Sequence, residues 1–170
     1  MIVALTGFMM CGKSSYGRAV ADMLGWEFVD LDFEIERGVA PGDIIRTRGE
    51  AVFRQEETAA LRRVLKRSDN CILALGGGTP LREENRAMLR ENCRTIWLKA
   101  SLEESVFNPE WASLTAQRPL LDGGDRKRIE ALWTSRIPIY EEVADYTVCT
   151  DSKTPEEIVD NLSRICRLCL

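Results

Sequence analysis

The sequence predicts a three-layer α/β fold, with a central parallel sheet of about five strands between two layers of helices. Three observations predict it. Short apolar runs alternate with longer helical patterns along all 170 residues. Three of these runs, Ile2–Leu5, Cys71–Leu75 and Thr95–Leu98, lack the polar alternation of a half-exposed strand, as strands buried on both faces do. A repeated strand-then-helix rhythm also requires crossovers, which place helices on both faces of a parallel sheet.

Taken in order, Ile2–Leu5 is the first strand and 13–24 the first helix. Phe28–Leu31 reads as a second strand, followed by a helix at 50–66. Cys71–Leu75 and Thr95–Leu98 are the next strands, with a helix at 82–91 between them and a further helical pattern at 101–107. The segment 126–143 is helical, with a bend expected at Pro138. Tyr146–Cys149 is the last strand. The final helix spans 155–168, with Pro155 in its first turn, Glu156 and Glu157 beside it and Thr154 as N-cap. Between these elements, Asn108–Asp125 is irregular and holds Pro109, Pro119, Gly123 and Gly124; a loop that long in a compact domain is functional or mobile. There is no repeat, low-complexity tract or linker, so 1–170 reads as one domain.

Composition removes several kinds of chemistry. The chain is 45% hydrophobic and 29% charged, with net charge −4 and no histidine. A Ser-His-Asp or Cys-His relay, a His zinc site and a His general base are therefore excluded. Mild acidity gives no electrostatic reason to expect nucleic acid or anionic lipid as a partner. The six cysteines are Cys11, Cys71, Cys93, Cys149, Cys166 and Cys169. Cys71, Cys93 and Cys149 adjoin apolar runs and read as small buried hydrophobes. Cys166 and Cys169 form a lone CxxC with no second pair to complete a zinc site, which favours a helix carrying two small apolar residues. MIVALTGF has no basic leader and is too short for a signal peptide, and no apolar run has membrane-spanning length. A reducing cytosol is the expected setting.

The strongest motif is Gly7-Phe8-Met9-Met10-Cys11-Gly12-Lys13-Ser14, a G-x-x-x-x-G-K-[ST] phosphate loop between a strand and a helix. Backbone N–H groups of Met10, Cys11, Gly12 and the first helical turn, with Ser15, point at phosphates there. Lys13 supplies a cation to the β- and γ-phosphates, and Ser14 a hydroxyl ligand to Mg²⁺. Met10 stands at a backbone position often left to glycine. Cys11 reads in two ways: a thiol activated by the helix N-terminus and Lys13, and protected by ATP, or a buried inert one.

Other groups suit a second substrate. Asp30 and Asp32 flank Leu31 at the end of the second strand, where a period of two puts both carboxylates on one side. One can serve Mg²⁺ and the other a substrate hydroxyl, while the structural alternative is an N-cap for the next helix. Arg54 and Glu57 share a helix face, which lets Glu57 orient Arg54 toward a carboxylate; such a pair is also common on solvated surface. Gly76-Gly77-Gly78 after the third strand implies close approach to the backbone by a ligand. Arg118, in the irregular segment, and Arg136, before Pro138 and Tyr140, are candidate anion clamps.

Together, the phosphate loop at 7–14, Asp30-Leu31-Asp32, Gly49-Glu50 with Phe53-Arg54 and Glu57, Gly76–Gly78, Arg118-Pro119-Leu120-Leu121 and Arg136 resemble the shikimate kinases of the nucleoside-monophosphate-kinase-like group. The resemblance runs over the whole chain. It implies a three-layer αβα P-loop kinase fold, with a substrate-binding segment at about 32–62 and a mobile lid at about 108–124. It implies ATP and shikimate as substrates, Mg²⁺ as cofactor, and shikimate 3-phosphate and ADP as products, on the route to chorismate and the aromatic amino acids. Lys13 and Ser14 would bind ATP and Mg²⁺, with Asp30 supporting the metal. Asp32 would hold the ring hydroxyls and receive the 3-hydroxyl proton. Arg54 and Arg136 would clamp the carboxylate beside Gly76, Gly77 and Gly78. Arg118 would neutralise the transferring phosphoryl group, and Lys153 would lie along adenine. A cytosolic monomer is also implied. The lid departs from the pattern: Ala100–Gln117 has no Lys or Arg, carries Glu103, Glu104 and Glu110, and has Trp111 where a lid arginine often sits. Two alternatives stay open from the residues alone. One is a kinase of another small hydroxy-acid such as gluconate, and the other a nucleotide-binding relative without transfer activity.

Overall fold

The computed structural model describes residues 1–35, 41–67, 69–109 and 125–169. Five parallel strands, β1 (Ile2–Thr6), β2 (Glu27–Asp30), β3 (Cys71–Ala74), β4 (Arg94–Lys99) and β5 (Tyr146–Cys149), form one sheet in the order β2-β3-β1-β4-β5. The helices are α1 (Lys13–Leu24), α2 (Leu31–Ile35), α3 (Pro41–Arg48), α4 (Glu50–Val64), α5 (Glu83–Asn92), α6 (Arg126–Val143) and α7 (Pro155–Leu168), with a turn of 3₁₀ helix at Thr79–Leu81. The α/β class and the five-stranded parallel sheet are as the sequence predicts.

Strand periodicity sorts the core into two layers. Val3, Leu5, Ile72, Ile96 and Val148 face α1 and α7, where they meet Val20, Ala21, Ile158, Leu162 and Cys166. Ile2, Ala4, Cys71 and Leu73 point the other way, onto Ala60, Leu61 and Val64 of α4 and Leu89 of α5. Burying a side chain such as Leu61 or Leu73 contributes about 1.5–3 kcal/mol each, which is why the unbroken apolar runs of β1 and β3 read so clearly. The start of α7 also matches its sequence. Thr154 Oγ1 accepts from the Glu157 N–H at 3.3 Å, and the Glu157 carboxylate accepts from the Thr154 N–H at 2.8 Å.

Three expectations need correction. Leu31 ends no strand but begins α2, and the short helices α2 and α3 appear where none is predicted. Segment 101–107 is a series of turns, not a helix. The Phe107 N–H reaches back to the Leu102 carbonyl at 2.7 Å, and Pro109 disfavours helical backbone just before it. Helix α6 covers the predicted 126–143 with Pro138 inside it. Cys149 is exposed, unlike Cys71, Cys93 and Cys166. Burial pushes the Cys71 thiol up to about 11 and those of Cys93 and Cys166 up to about 12. Cys166 is buried on the core face of α7, as its apolar reading requires, and no group of three potential metal ligands occurs among the described residues. No helix of the described residues is long and apolar enough to cross a membrane.

This topology positions the site. Ligands of open parallel sheets bind beyond the carboxyl ends of the strands. With β1 flanked by β3, and β3 by β2, the loop after β1, the glycines after β3 and the aspartates at the end of β2 become neighbours.

Candidate active site

The loop Gly7–Gly12 leaves the end of β1 and delivers Lys13 and Ser14 into the first turn of α1. Met10 has φ 66°, in the left-handed region, so the expected glycine-like position is real. That conformation costs about 1–2 kcal/mol for a residue with a Cβ. Its side chain packs on the cluster of Phe8, Met9, Trp97 and Tyr140, which offsets part of the cost. Cys11 is buried at 4% exposure, which favours the packed thiol over the reactive one. The Lys13 ammonium donates to the Gly7 and Phe8 carbonyls at 2.9 and 2.8 Å, curled over its own loop. Ser14 Oγ donates to Asp30 Oδ2 at 2.6 Å, while Ser15 is exposed in the same helical turn.

Asp30 and Asp32 come together differently from the expected pleat. Asp32 lies in α2, and its N–H donates to Asp30 Oδ1 at 3.1 Å. Asp30 therefore caps the turn into α2, which is the structural alternative for this aspartate, and holds Ser14 with its other oxygen. The Asp32 carboxylate goes elsewhere, against Gly76.

The three glycines after β3 form the centre. A Cβ at Gly76 would stand 2.7 Å from Asp32 Oδ1 and 2.9 Å from Glu57 Oε1. At Gly78 it would stand 2.5 Å from two guanidinium nitrogens of Arg54. At Gly77 it would stand 3.5 Å from Arg136 Nη1 and 3.5 Å from the Gly7 carbonyl of the phosphate loop. Each missing side chain thus leaves room for a charged group or for the loop. The carbonyls are all engaged, by the Thr79 N–H at 3.0 Å, the Tyr140 hydroxyl at 2.6 Å and the Leu81 N–H at 3.0 Å. Among the described residues, the Gly76, Gly77 and Gly78 N–H groups have no such partner and remain available as donors.

Two guanidiniums flank these glycines. Arg54 donates to Glu57 Oε2 at 2.9 Å, and the buried Glu57 accepts again from Thr79 Oγ1 at 2.7 Å. This pair is part of the interior rather than solvated surface. Arg82 donates to the Arg54 carbonyl and to Thr58 Oγ1, both at 3.1 Å, tying the 3₁₀ turn to α4. Arg136 is 5% exposed and lies with its Cζ 5.5 Å from the Phe8 ring centroid. Its bond to the glycine backbone is long, 3.4 Å from Nη1 to the Gly77 carbonyl, and its Nε is buried without a partner. Among the described residues it pairs with no carboxylate. A desolvated cation with unused donors is costly unless an anion completes it.

Lys153 is not drawn into this group. It lies beyond β5, its ammonium on the Cys149 carbonyl at 2.7 Å. Arg118 and Trp111, with the 110–124 part of the expected lid, lie outside the described residues. Glu103 pairs with Arg126 at 2.6 Å. Sequence reasoning assigned no role to Thr79, Arg82 or Tyr140. Tyr140 had a usable signal, since it lies four residues after Arg136 and shares its helix face.

A profile described as shikimate kinase matches residues 9–167. The shikimate kinase of Marinomonas sp. is 37% identical over 164 residues, covering 94% of this chain and 88% of that protein. That of Persephonella marina is 40% identical over 162 residues, covering 94% and 95%. The structure of shikimate kinase from Acinetobacter baumannii in complex with shikimate superposes with a TM-score of 0.88 at 30% identity, covering 98% of this chain and 93% of that one. The fold, the phosphate loop and the long match in sequence agree: this chain belongs to the shikimate kinase family.

Proposed function

We propose that the protein transfers the γ-phosphoryl group of ATP to the 3-hydroxyl of shikimate, giving shikimate 3-phosphate and ADP. The reaction belongs to the route to chorismate and the aromatic amino acids. The observation that carries the proposal is the gathering of Arg54, Arg136 and Asp32 around Gly76–Gly78 beside the phosphate loop. Two cations and free N–H donors suit a carboxylate at one end of a small substrate, and Asp32 suits hydroxyls at the other. Gluconate shares those groups, but the family match favours shikimate. Retention of Lys13, Ser14 and Asp32 argues against a binding protein without transfer.

In this scheme Lys13 exchanges the Gly7 and Phe8 carbonyls for β- and γ-phosphate oxygens. N–H groups of Met10, Cys11, Gly12 and the first turn of α1, with Ser15, cradle the phosphates. Ser14 Oγ and Asp30 Oδ2, 2.6 Å apart, are hard oxygen donors that fit Mg²⁺ with water and phosphate completing its shell. Bound there, the ion supplies charge neutralisation at the β- and γ-phosphates. Arg54, Arg136 and the Gly77 N–H hold the carboxylate, while Asp32 orients the 3-hydroxyl and accepts its proton. The hydroxyl oxygen bonds to the γ-phosphorus as the bond to the bridging oxygen breaks, and ADP leaves. Arg118 closes the charge around the phosphoryl group, and Lys153 lines the adenine side. The protein works as a single-domain cytosolic monomer.

A coupled assay of ADP release tests this with shikimate, gluconate or neither. Release that depends on shikimate is expected, and equal release in all three arms rejects the proposal. Gly78→Ala probes the clamp. The atoms nearest the new methyl are those of the Arg54 guanidinium and not backbone, so the substitution displaces that group. The expected result is a shikimate KM raised by at least about tenfold, with the ATP KM unchanged.

A further inference from the structure

We infer that Tyr140 is a positioning residue for the substrate carboxylate, acting through the Gly77–Gly78 peptide and Arg136; this rests on the function proposed above. The Tyr140 hydroxyl donates to the Gly77 carbonyl at 2.6 Å, far shorter than the 3.4 Å contact from Arg136 to the same oxygen. Two things follow. The peptide is trans, so a carbonyl drawn toward α6 turns the Gly78 N–H the opposite way, and that N–H is one of the three without an acceptor among the described residues. The carbonyl is also satisfied without Arg136, which leaves that guanidinium free to meet an anion.

The phenol is built for this place. Tyr140 is 2% exposed, and its ring packs 6.1 Å from that of Trp97. Burial pushes its ionisation well above the ordinary tyrosine value, outweighing the adjacent Arg136 cation, so the hydroxyl stays a donor throughout any assay range. Without the hydroxyl, the part-buried Gly77 carbonyl would keep only the long Arg136 contact. Arg136 would then be drawn onto it at the substrate's expense, because an acceptor partly shielded from water loses free energy when its partner is removed.

Tyr140→Phe removes one oxygen and keeps the ring packing. The expected result is a shikimate KM raised roughly tenfold, with kcat and the ATP KM each within about twofold of wild type. In an Arg136→Met background the same change should cost clearly less in kcat/KM, because the two residues act on one peptide and one ligand group. An unchanged shikimate KM overturns the inference. So do equal losses toward shikimate and ATP, which mark general loosening, and a full tenfold loss that persists in the Arg136→Met background. If the wild type shows no shikimate-dependent turnover, the function reading fails first and the inference falls with it.

Discussion

Asp32→Asn lowers kcat by roughly two to four orders of magnitude and leaves ATP affinity within about threefold of wild type, the range expected when a positioned base is lost. The asymmetry follows from where the carboxylate lies. Asp30 serves Ser14 and the phosphate side of the site, whereas Asp32 turns to Gly76 and the glycine backbone. The two aspartates are two positions apart, yet their carboxylates meet different parts of the site. Asparagine keeps the shape beside Gly76 and loses only the negative charge and the ability to take a proton. The histidine-free composition leaves no neighbouring imidazole to substitute. Measuring single-turnover rates together with nucleotide titration separates the two effects. Near-wild-type turnover would remove Asp32 from the reaction. Lost nucleotide binding would mean that Asp32, not Asp30, belongs to the phosphate side.

The second large effect is at Arg136, and it pairs a loss of function with no loss of stability. Arg136 is a buried cation without a carboxylate partner among the described residues, and its Nε is unsatisfied. A charge in that condition opposes folding, and replacing a buried ionic group with an apolar one of similar volume is often neutral or stabilising. Arg136→Met should therefore keep or raise the melting temperature while raising the shikimate KM about 100-fold, the loss expected for a charge-assisted pair worth about 3 kcal/mol. Shikimate should also raise the melting temperature of the wild type, since a ligand that binds only the folded state stabilises it, and should fail to do so for the variant at the same concentration. Marked destabilisation with a normal shikimate KM would show that Arg136 is structural instead.

The legible parts of this chain are those where one local rule dominates. β1 and β3 are apolar throughout because both faces are covered, and α7 announces its start with Thr154, Pro155 and Glu157. The phosphate loop is legible because its glycines, Lys13 and Ser14 fall at fixed spacing between a strand and a helix. The short helices α2 and α3 are not legible. Five and eight residues hold too little periodicity to outweigh the strand-like run before them, and each buries one side chain fully, Leu31 and Ile44. Segment 101–107 misleads for the opposite reason. Leu102 and Val106 are buried at helical spacing, but the backbone closes as turns before Pro109. Within the site, the residue types were readable and their pairing was not. Nothing local shows that Glu57 is buried against Thr79, or that Tyr140 reaches the Gly77 carbonyl across 63 residues of sequence. Those contacts exist only because β3 brings its glycines between α4 and α6.

The most direct measurement is the position of the phosphate in the product. The protein is incubated with ATP, Mg²⁺ and shikimate, and the mixture is followed by phosphorus NMR with coupling to the ring protons of shikimate. One new phosphate ester coupled to the proton on carbon 3 of shikimate, formed in step with ADP, is the predicted result. ADP formed with inorganic phosphate alone, or an ester at another hydroxyl, would contradict it.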